Sequence, residues 1–309
     1  MRKGLMPRIT GHIVHTSQVL LGRAAPGRAM TVFPDDVFLV SYMKSGNTWL
    51  RFLVGNLTRP NEPVTFANIE RLVPSVYGLP DRVLRRMPRP RYLKSHEPFQ
   101  AEYGRVIYIV RDPRDLAVSY YYHVVKARLL PSGCAIDEFI PQFLADWPRF
   151  YHAPWPDHVM GWLAMKPSRQ GFLLLRYEDL LQDATRELEK VARFLQIDAA
   201  DEQLARAVEL SSADRMRSSE KKDAQKWSTT RGTRSDVAFV RAAKSGQWSE
   251  VLSTESVAKI EAAWGPVMQG LGYDLVNDPK KLAAVSETWD RWEAQVRAVL
   301  PQVKTAEDA

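Results

Sequence analysis

A single cysteine, Cys134, occurs among 309 residues. An intrachain disulfide is therefore impossible, and a structural zinc site built from several cysteines is excluded. The thiol sits in a Pro131-Ser132-Gly133-Cys134 turn without the electropositive pattern that makes a cysteine reactive. So few cysteines point to a reducing compartment. Also absent is any run approaching the ~20 apolar residues that a membrane span requires. The apolar part of residues 1–30 is broken by Gly11, His12 and His15 and does not resemble a secretory signal. A cytoplasmic location with no membrane partner is expected. The chain has no Gly-x-x-x-x-Gly-Lys-Ser/Thr loop of the Walker type, no cluster of metal-ligating residues, no internal repeat and no low-complexity tract. Its basic residues are not interleaved with aromatics as nucleic-acid surfaces require, so no nucleic-acid partner is expected.

What is present is an ordinary globular composition. Hydrophobic residues make up 45% of the chain, and Lys plus Arg exceed Asp plus Glu by 43 to 36, a net charge of +7. That mild excess favours anionic ligands without choosing among them. The length fits one large α/β domain.

Residues 1–35 read as a variable leader broken by Gly4, Gly11, Gly22, Pro26 and Gly27. The continuous apolar run from Asp36 to Tyr42 predicts a buried parallel strand. Lys44-Ser45-Gly46 predicts a turn, and the spacing of Trp49, Leu50, Leu53, Val54 and Leu57 predicts a helix over 47–57. Residues 58–90 read as irregular. Strands are predicted at 92–95, 106–110 and 171–176. Pro113 suits the first turn of a helix running to about Lys126. Two aromatic-rich helices are expected within 136–165, and further helices at 185–195, 199–219 and 254–270. Residues 220–250 are polar and aperiodic and read as a mobile loop. A core domain over 36–275 and a C-terminal helical tail over 276–309 complete the division. Alternating strands and helices imply an α/β fold, a single domain with a central, mostly parallel sheet flanked by helices. Ligands of such sheets bind beyond the carboxyl ends of the strands.

The chemistry-bearing residues cluster at those ends. Tyr42-Met43-Lys44-Ser45-Gly46-Asn47-Thr48-Trp49 is a strand, a glycine-containing loop and a helix start, the arrangement that cradles phosphate through backbone N–H groups and the helix dipole. Lys44 adds charge; Ser45 and Thr48 add hydroxyl donors. Arg111, at another strand end, and Ser119, two turns into the next helix, are suitable donors to a phosphate monoester. His96 follows the strand that carries Lys94 and titrates near neutral pH, as a general base should.

These residues resemble the cytosolic-type sulfotransferases that use 3′-phosphoadenosine 5′-phosphosulfate (PAPS). The resemblance runs through Lys44-Ser-Gly-x-Thr-Trp49, Lys94-Ser-His96, Arg111-x7-Ser119, Tyr177-Glu-Asp-Leu180 and Arg241-Ala-Ala-Lys-Ser-Gly-Gln-Trp248, and spans about residues 36–275. It implies a P-loop-like phosphosulfate-binding loop at Lys44, Ser45, Gly46, Asn47, Thr48 and Trp49, with Trp49 near the adenine. It implies a 3′-phosphate clamp from Arg111 and Ser119, an adenine contact at Tyr177, and a second 3′-phosphate contact from Arg241 on a lid. PAPS is then the co-substrate, released as 3′-phosphoadenosine 5′-phosphate (PAP). Three departures stand out. Asn47 replaces a common threonine, and its amide is expected to donate into the cradle. In the lid, Ala242 and Ala243 replace Lys-Gly, and Gln247 replaces Asp, removing one cation and one flexible position. No dimer motif is recognisable around residues 249–258, so the oligomeric state stays open.

The expected reaction moves a sulfuryl group to a hydroxyl or amine of a small acceptor by direct in-line attack. His96 removes the acceptor proton, Lys44 stabilises the leaving oxygen, Lys94 neutralises the transferring group, and Ser119 holds the 3′ phosphate. The lysines supply the positive charge, so no metal is expected. The aromatics Phe99, Tyr120 to Tyr122, Phe150, Tyr151, Trp155 and Trp162 offer an apolar acceptor wall, or core packing. His123 follows the tyrosine run and is a further candidate for that wall; His12, His15, His152 and His158 have no comparable context. Acceptor choice is expected to reside in 58–90, 128–160 and 220–245. The alternatives are a P-loop-type nucleotide kinase, a nucleic-acid-binding module and a non-catalytic PAPS-binding protein.

Overall fold

The computed structural model describes residues 30–131, 133–145, 153–165 and 171–307. Most of the leader, with His12 and His15, therefore lies outside the described residues, as do Phe150, Tyr151 and His152.

Four strands form one parallel sheet: β1 (Val37–Val40), β2 (Tyr92–Ser95), β3 (Arg105–Val110) and β4 (Phe172–Arg176), in the order β2-β1-β3-β4. The apolar runs have a direct reason. All four residues of β1 are fully buried, because helices cover both faces. The two-residue period then divides them. Phe38 and Val40 face one core with Val106, Tyr108 and Val110, whereas Val37 and Leu39 face the other with Ile107 and Ile109.

Helix α1 (Asn47–Thr58) follows β1 and packs on the second face. The segment read as irregular, 58–90, contains two one-turn helices, α2 (Ile69–Leu72) and α3 (Asp81–Leu84). Helix α4 (Pro113–Lys126) starts where its proline dictates, with Asp112 capping the N–H of Arg114 at 2.9 Å. Helices α5 (Ile136–Leu144) and α6 (Trp155–Met165) are the two expected in the aromatic region. At β4 no loop intervenes: α7 (Tyr177–Gln182) begins on the next residue. Helix α8 (Ala184–Leu195) follows. The stretch predicted as one helix over 199–219 is two, α9 (Asp201–Leu210) and α10 (Ala213–Asp223), because Ser211 and Ser212 break the path and Ser212 caps the second through the N–H of Arg215. After α11 (Trp248–Val251) comes α12 (Thr254–Gly270), then α13 (Pro279–Ala283) and α14 (Trp289–Glu307).

The C-terminal tail is helical and is part of the core. Trp289, Trp292 and Leu300 are buried. Gly265 lets the Trp289 ring approach: a Cβ there would lie 2.6 Å from that ring. Among the described residues, no helix is long and apolar enough to cross a membrane.

Candidate active site

The strand order reverses at β1: the chain steps to β2 on one side, then returns across to β3 on the other. The crevice between the carboxyl ends of β1 and β3 is the switch point where ligands of such sheets sit. The loop after β1 and Arg111 after β3 flank it. A cavity of about 470 Å³ opens here, lined by every predicted site residue except Ser45. It thus brings together Lys44, Gly46, Asn47, Thr48, Trp49, Lys94, His96, Arg111, Ser119, Tyr177 and Arg241. Ser45 lies just beneath, fully buried.

The cradle is built by backbone conformation. Lys44 has φ 67° and Gly46 φ 100°, both left-handed, which turns successive N–H groups inward. Glycine is required at 46 for a second reason: a Cβ there would stand 2.6 Å from the Tyr177 ring. Gly46 is also the N-cap of α1, where no side chain caps the helix and no acid occupies the first turn. The N-terminal N–H groups and their partial positive charge therefore face the cavity uncompensated. Ser45 Oγ and Arg111 Nε are among the buried polar atoms at this spot that have no partner among the described residues. The chemistry of this donor set fits an anionic phosphate or phosphosulfate group.

Asn47 departs from expectation. Its amide donates to the Leu39 carbonyl at 2.9 Å and to Ser41 Oγ at 3.2 Å. It ties α1 to β1 instead of reaching into the cradle, which leaves only its backbone N–H for the anion.

Positive charge is concentrated and poorly hydrated. Burial, together with the cations of Lys94 and Arg111, pulls Lys44 down to about 7; its Nζ lies 4.3 Å from the centre of the Phe239 ring. Burial, with the Arg51 guanidinium, lowers Lys94 to about 8. An anion bound beside the two lysines favours their charged forms and raises both values again.

His96 is 6% exposed and fixed from three sides. Its Nδ1 donates to the Ser41 carbonyl at 2.8 Å, so the neutral ring carries its lone pair on Nε2. Its backbone N–H donates to Tyr77 Oη at 2.9 Å. Its carbonyl accepts from Nε2 of His158 at 3.2 Å, and His158 Nδ1 accepts from Tyr108 Oη at 2.9 Å. Burial and the neighbouring Lys94 hold His96 well below the usual 6.5. His158, without context in the sequence, is thus a buried support of the His96 backbone.

Arg111 joins three segments. Its guanidinium lies 4.2 Å from the centre of the Tyr177 ring and donates to the Lys44 carbonyl at 3.4 Å and the Lys244 carbonyl at 3.2 Å. Trp49 meets Tyr177 edge-on at 5.8 Å, so two aromatic rings border the same end of the cavity.

Residues 220–250 are not the mobile loop expected from their aperiodicity. Helix α10 extends to Asp223, and the chain beyond is held by distant side chains. Glu220 accepts from the N–H groups of Phe239 and Val240 at 2.6 and 2.9 Å. Arg217 donates to the carbonyls of Arg241 and Ala242. Asp115 accepts from the N–H groups of Gly246 at 2.7 Å and Trp248 at 3.1 Å. Such anchoring leaves no local periodicity. Arg241, on this lid, stacks 4.5 Å over Tyr122 and lines the cavity. The alanine substituted for glycine, Ala243, does adopt a left-handed φ of 52°.

Two contributors escaped the sequence reading. Phe239 lines the cavity from the stretch without periodicity, beside Gln247 of the lid motif. Asp115 did carry a signal, its i,i+4 spacing from Arg111, with which it pairs at 3.9 Å. Of the candidate acceptor aromatics, Tyr120, Trp155 and Trp162 are core residues, and Phe99 packs edge-on against Trp162 at 5.3 Å.

A parallel sheet with an uncapped, glycine-turned cradle at its switch point defines an α/β protein with a P-loop-like anion site. Residues 34–272 match the sulfotransferase domain family. Rat sulfotransferase 1 family member D1 is 28% identical over 243 residues, covering 74% of this chain and 81% of the rat protein. Bovine sulfotransferase 1A1 is 28% identical over 260 residues, covering 79% and 87%. Among solved structures, retinol dehydratase in complex with androsterone and inactive cofactor PAP superposes with a TM-score of 0.67 at 21% identity, over 84% of this chain and 87% of that one. Mouse sulfotransferase SULT7A1 complexed with PAP gives 0.59 at 23%, over 87% and 91%. The chain belongs to the sulfotransferase domain family, and its enzyme class is that of the PAPS-dependent sulfotransferases. Among the described residues, no group of three or more His, Cys, Asp or Glu is placed to hold a metal ion.

Proposed function

We propose that this protein transfers a sulfuryl group from PAPS to a hydroxyl or amine of a small-molecule acceptor in the cytoplasm, with His96 as general base. The observation that carries the reading is the convergence, on one cavity, of an anion cradle and a buried histidine whose lone pair lies on Nε2.

The Gly46 cradle, with the N–H groups of α1, holds the 5′ phosphosulfate. Arg111, Ser119 and Arg241 hold the 3′ phosphate, and Trp49 and Tyr177 flank the adenine. PAPS supplies the sulfuryl group on a phosphate leaving group. His96 Nε2 takes the acceptor proton as the acceptor oxygen or nitrogen bonds to sulfur and the bond from sulfur to the bridging phosphate oxygen breaks. Lys44 stabilises the charge left on that oxygen, and Lys94 neutralises the group in transit. The absence of a metal requirement belongs to the same proposal, with the two lysines and the helix terminus carrying the positive charge.

His96→Ala tests the role of the base. Turnover of labelled PAPS with any acceptor found by screening is expected to fall by about 10²-fold or more, with PAP affinity unchanged. Turnover close to wild type would remove His96 from the reaction.

A further inference from the structure

Helix α4 presents Ser119 and His123 four residues apart, hence on one face, and both line the cavity. Ser119 belongs to the proposed donor site; His123 has no part in it. The Nδ1 of His123 is buried and has no hydrogen-bond partner among the described residues. The surroundings of the ring are largely aromatic. Tyr120 lies parallel at 6.4 Å, and Phe239 meets it edge-on at 6.4 Å. That Phe239 ring is the one beneath Lys44 Nζ, so His123 stands one ring away from the cradle lysine. A small second cavity, shared by Lys44, Tyr122, His123 and Lys126, continues from the first on this side.

Burial and the cations of Lys44, Lys94 and Lys126 hold the His123 imidazole well below 6.5. It is therefore neutral at neutral pH, with one nitrogen offering a lone pair and the other a proton. A buried polar atom without a partner is destabilising, and a ligand hydroxyl would supply the missing partner. An anionic group would suit it less, because it would need the imidazolium that burial disfavours.

We propose that His123 selects acceptors carrying a second hydroxyl group, which hydrogen-bonds to Nδ1 of His123 while the first is sulfated at His96. The inference deepens the function proposed above and rests on it. The site discriminates because an acceptor lacking that hydroxyl leaves the imidazole nitrogen unpaired in an aromatic setting.

The test is calorimetric titration of the PAP-loaded protein with phenol and with the three dihydroxybenzene isomers, which set the second oxygen at three distances from the first. At least one isomer is expected to bind wild type about tenfold more tightly than phenol. His123→Phe should abolish that preference, and His123→Asn, which keeps a hydrogen-bonding group, should retain part of it. PAP affinity should be equal in all three proteins. The proposal is overturned if no isomer binds more tightly than phenol to wild type, or if the preference survives His123→Phe. It is equally overturned if His123→Phe weakens PAP binding, which would assign the residue to the donor. Failure of wild type to bind PAP at all would instead remove the donor reading on which the proposal stands.

Discussion

At His96 a single carbonyl decides the chemistry. Because the Ser41 carbonyl can only accept, the proton of the neutral ring resides on Nδ1, and the lone pair faces the other way. Burial holds the ring well below 6.5. The base is consequently ready across the neutral range and is lost only as pH falls through that lowered value. At saturating PAPS, kcat is expected to be level from pH 8 down to about 6.5, the ordinary histidine value, with its acid limb further down. A limb centred at 6.5 would mean that the catalytic imidazole is hydrated in the complex. Lys44 has the opposite sign. Its value of about 7 in the free protein means that the cation is progressively lost above neutrality, whereas a dianionic ligand requires it. PAP affinity should therefore decline as pH rises from 7 to 8. Binding at pH 8 should be accompanied by proton uptake, visible as a dependence of the calorimetric enthalpy on the ionisation enthalpy of the buffer.

At the scale of elements, the site is a cradle on one segment closed by a lid on another, and Asp115 joins them. It receives the N–H groups of Gly246 and Trp248, and hydrogen bonds to a charged group contribute about 1.5–3 kcal/mol each. Asp115→Ala should lower PAP affinity by about tenfold or more, as lid closure is no longer prepaid by these bonds, without loss of helical circular dichroism. Ala243 works against the lid. A left-handed conformation costs a residue other than glycine about 1–2 kcal/mol, of which glycine would forfeit part through its looser unfolded chain. Ala243→Gly is accordingly expected to raise unfolding free energy by up to about 1 kcal/mol in a denaturant titration. The elements legible in the sequence were those with local causes. Pro113 behind an Asp112 cap and Ser253 capping the N–H of Ser256 set the starts of α4 and α12, and the both-faced burial of β1 wrote its unbroken apolar run. The anchoring of residues 220–250 was illegible because Glu220, Arg217 and Asp115, with Lys126 donating to the carbonyls of Arg234 and Val237, hold them from elsewhere. Asn47 was misread for a related reason: its residue type says that it can donate, but only the fold says to which carbonyl.

Across the whole molecule, the matched family region ends at residue 272, yet the core does not. Trp292 and Leu300 belong to the same apolar cluster as Trp155, Trp264 and the β1 residue Phe38. Gly270 also allows close approach there, since a Cβ would fall 2.8 Å from Val296. The tail is therefore a lid on the hydrophobic core. Trp292→Ala should cost about 3–5 kcal/mol of stability, the range for buried tryptophan, measured by the shift of the denaturation midpoint. A loss below 1 kcal/mol would mean that α14 is dispensable.

The central claim is that the cavity between β1 and β3 is a site for a 3′-phosphorylated adenine nucleotide, and calorimetric titration with PAP, alongside 5′-AMP and ATP·Mg²⁺, tests it most directly. The account predicts selective binding of PAP without added metal, lost in Arg111→Ala. Preference for ATP·Mg²⁺, or indifference to the 3′ phosphate, would contradict it and return the cavity to the kinase reading.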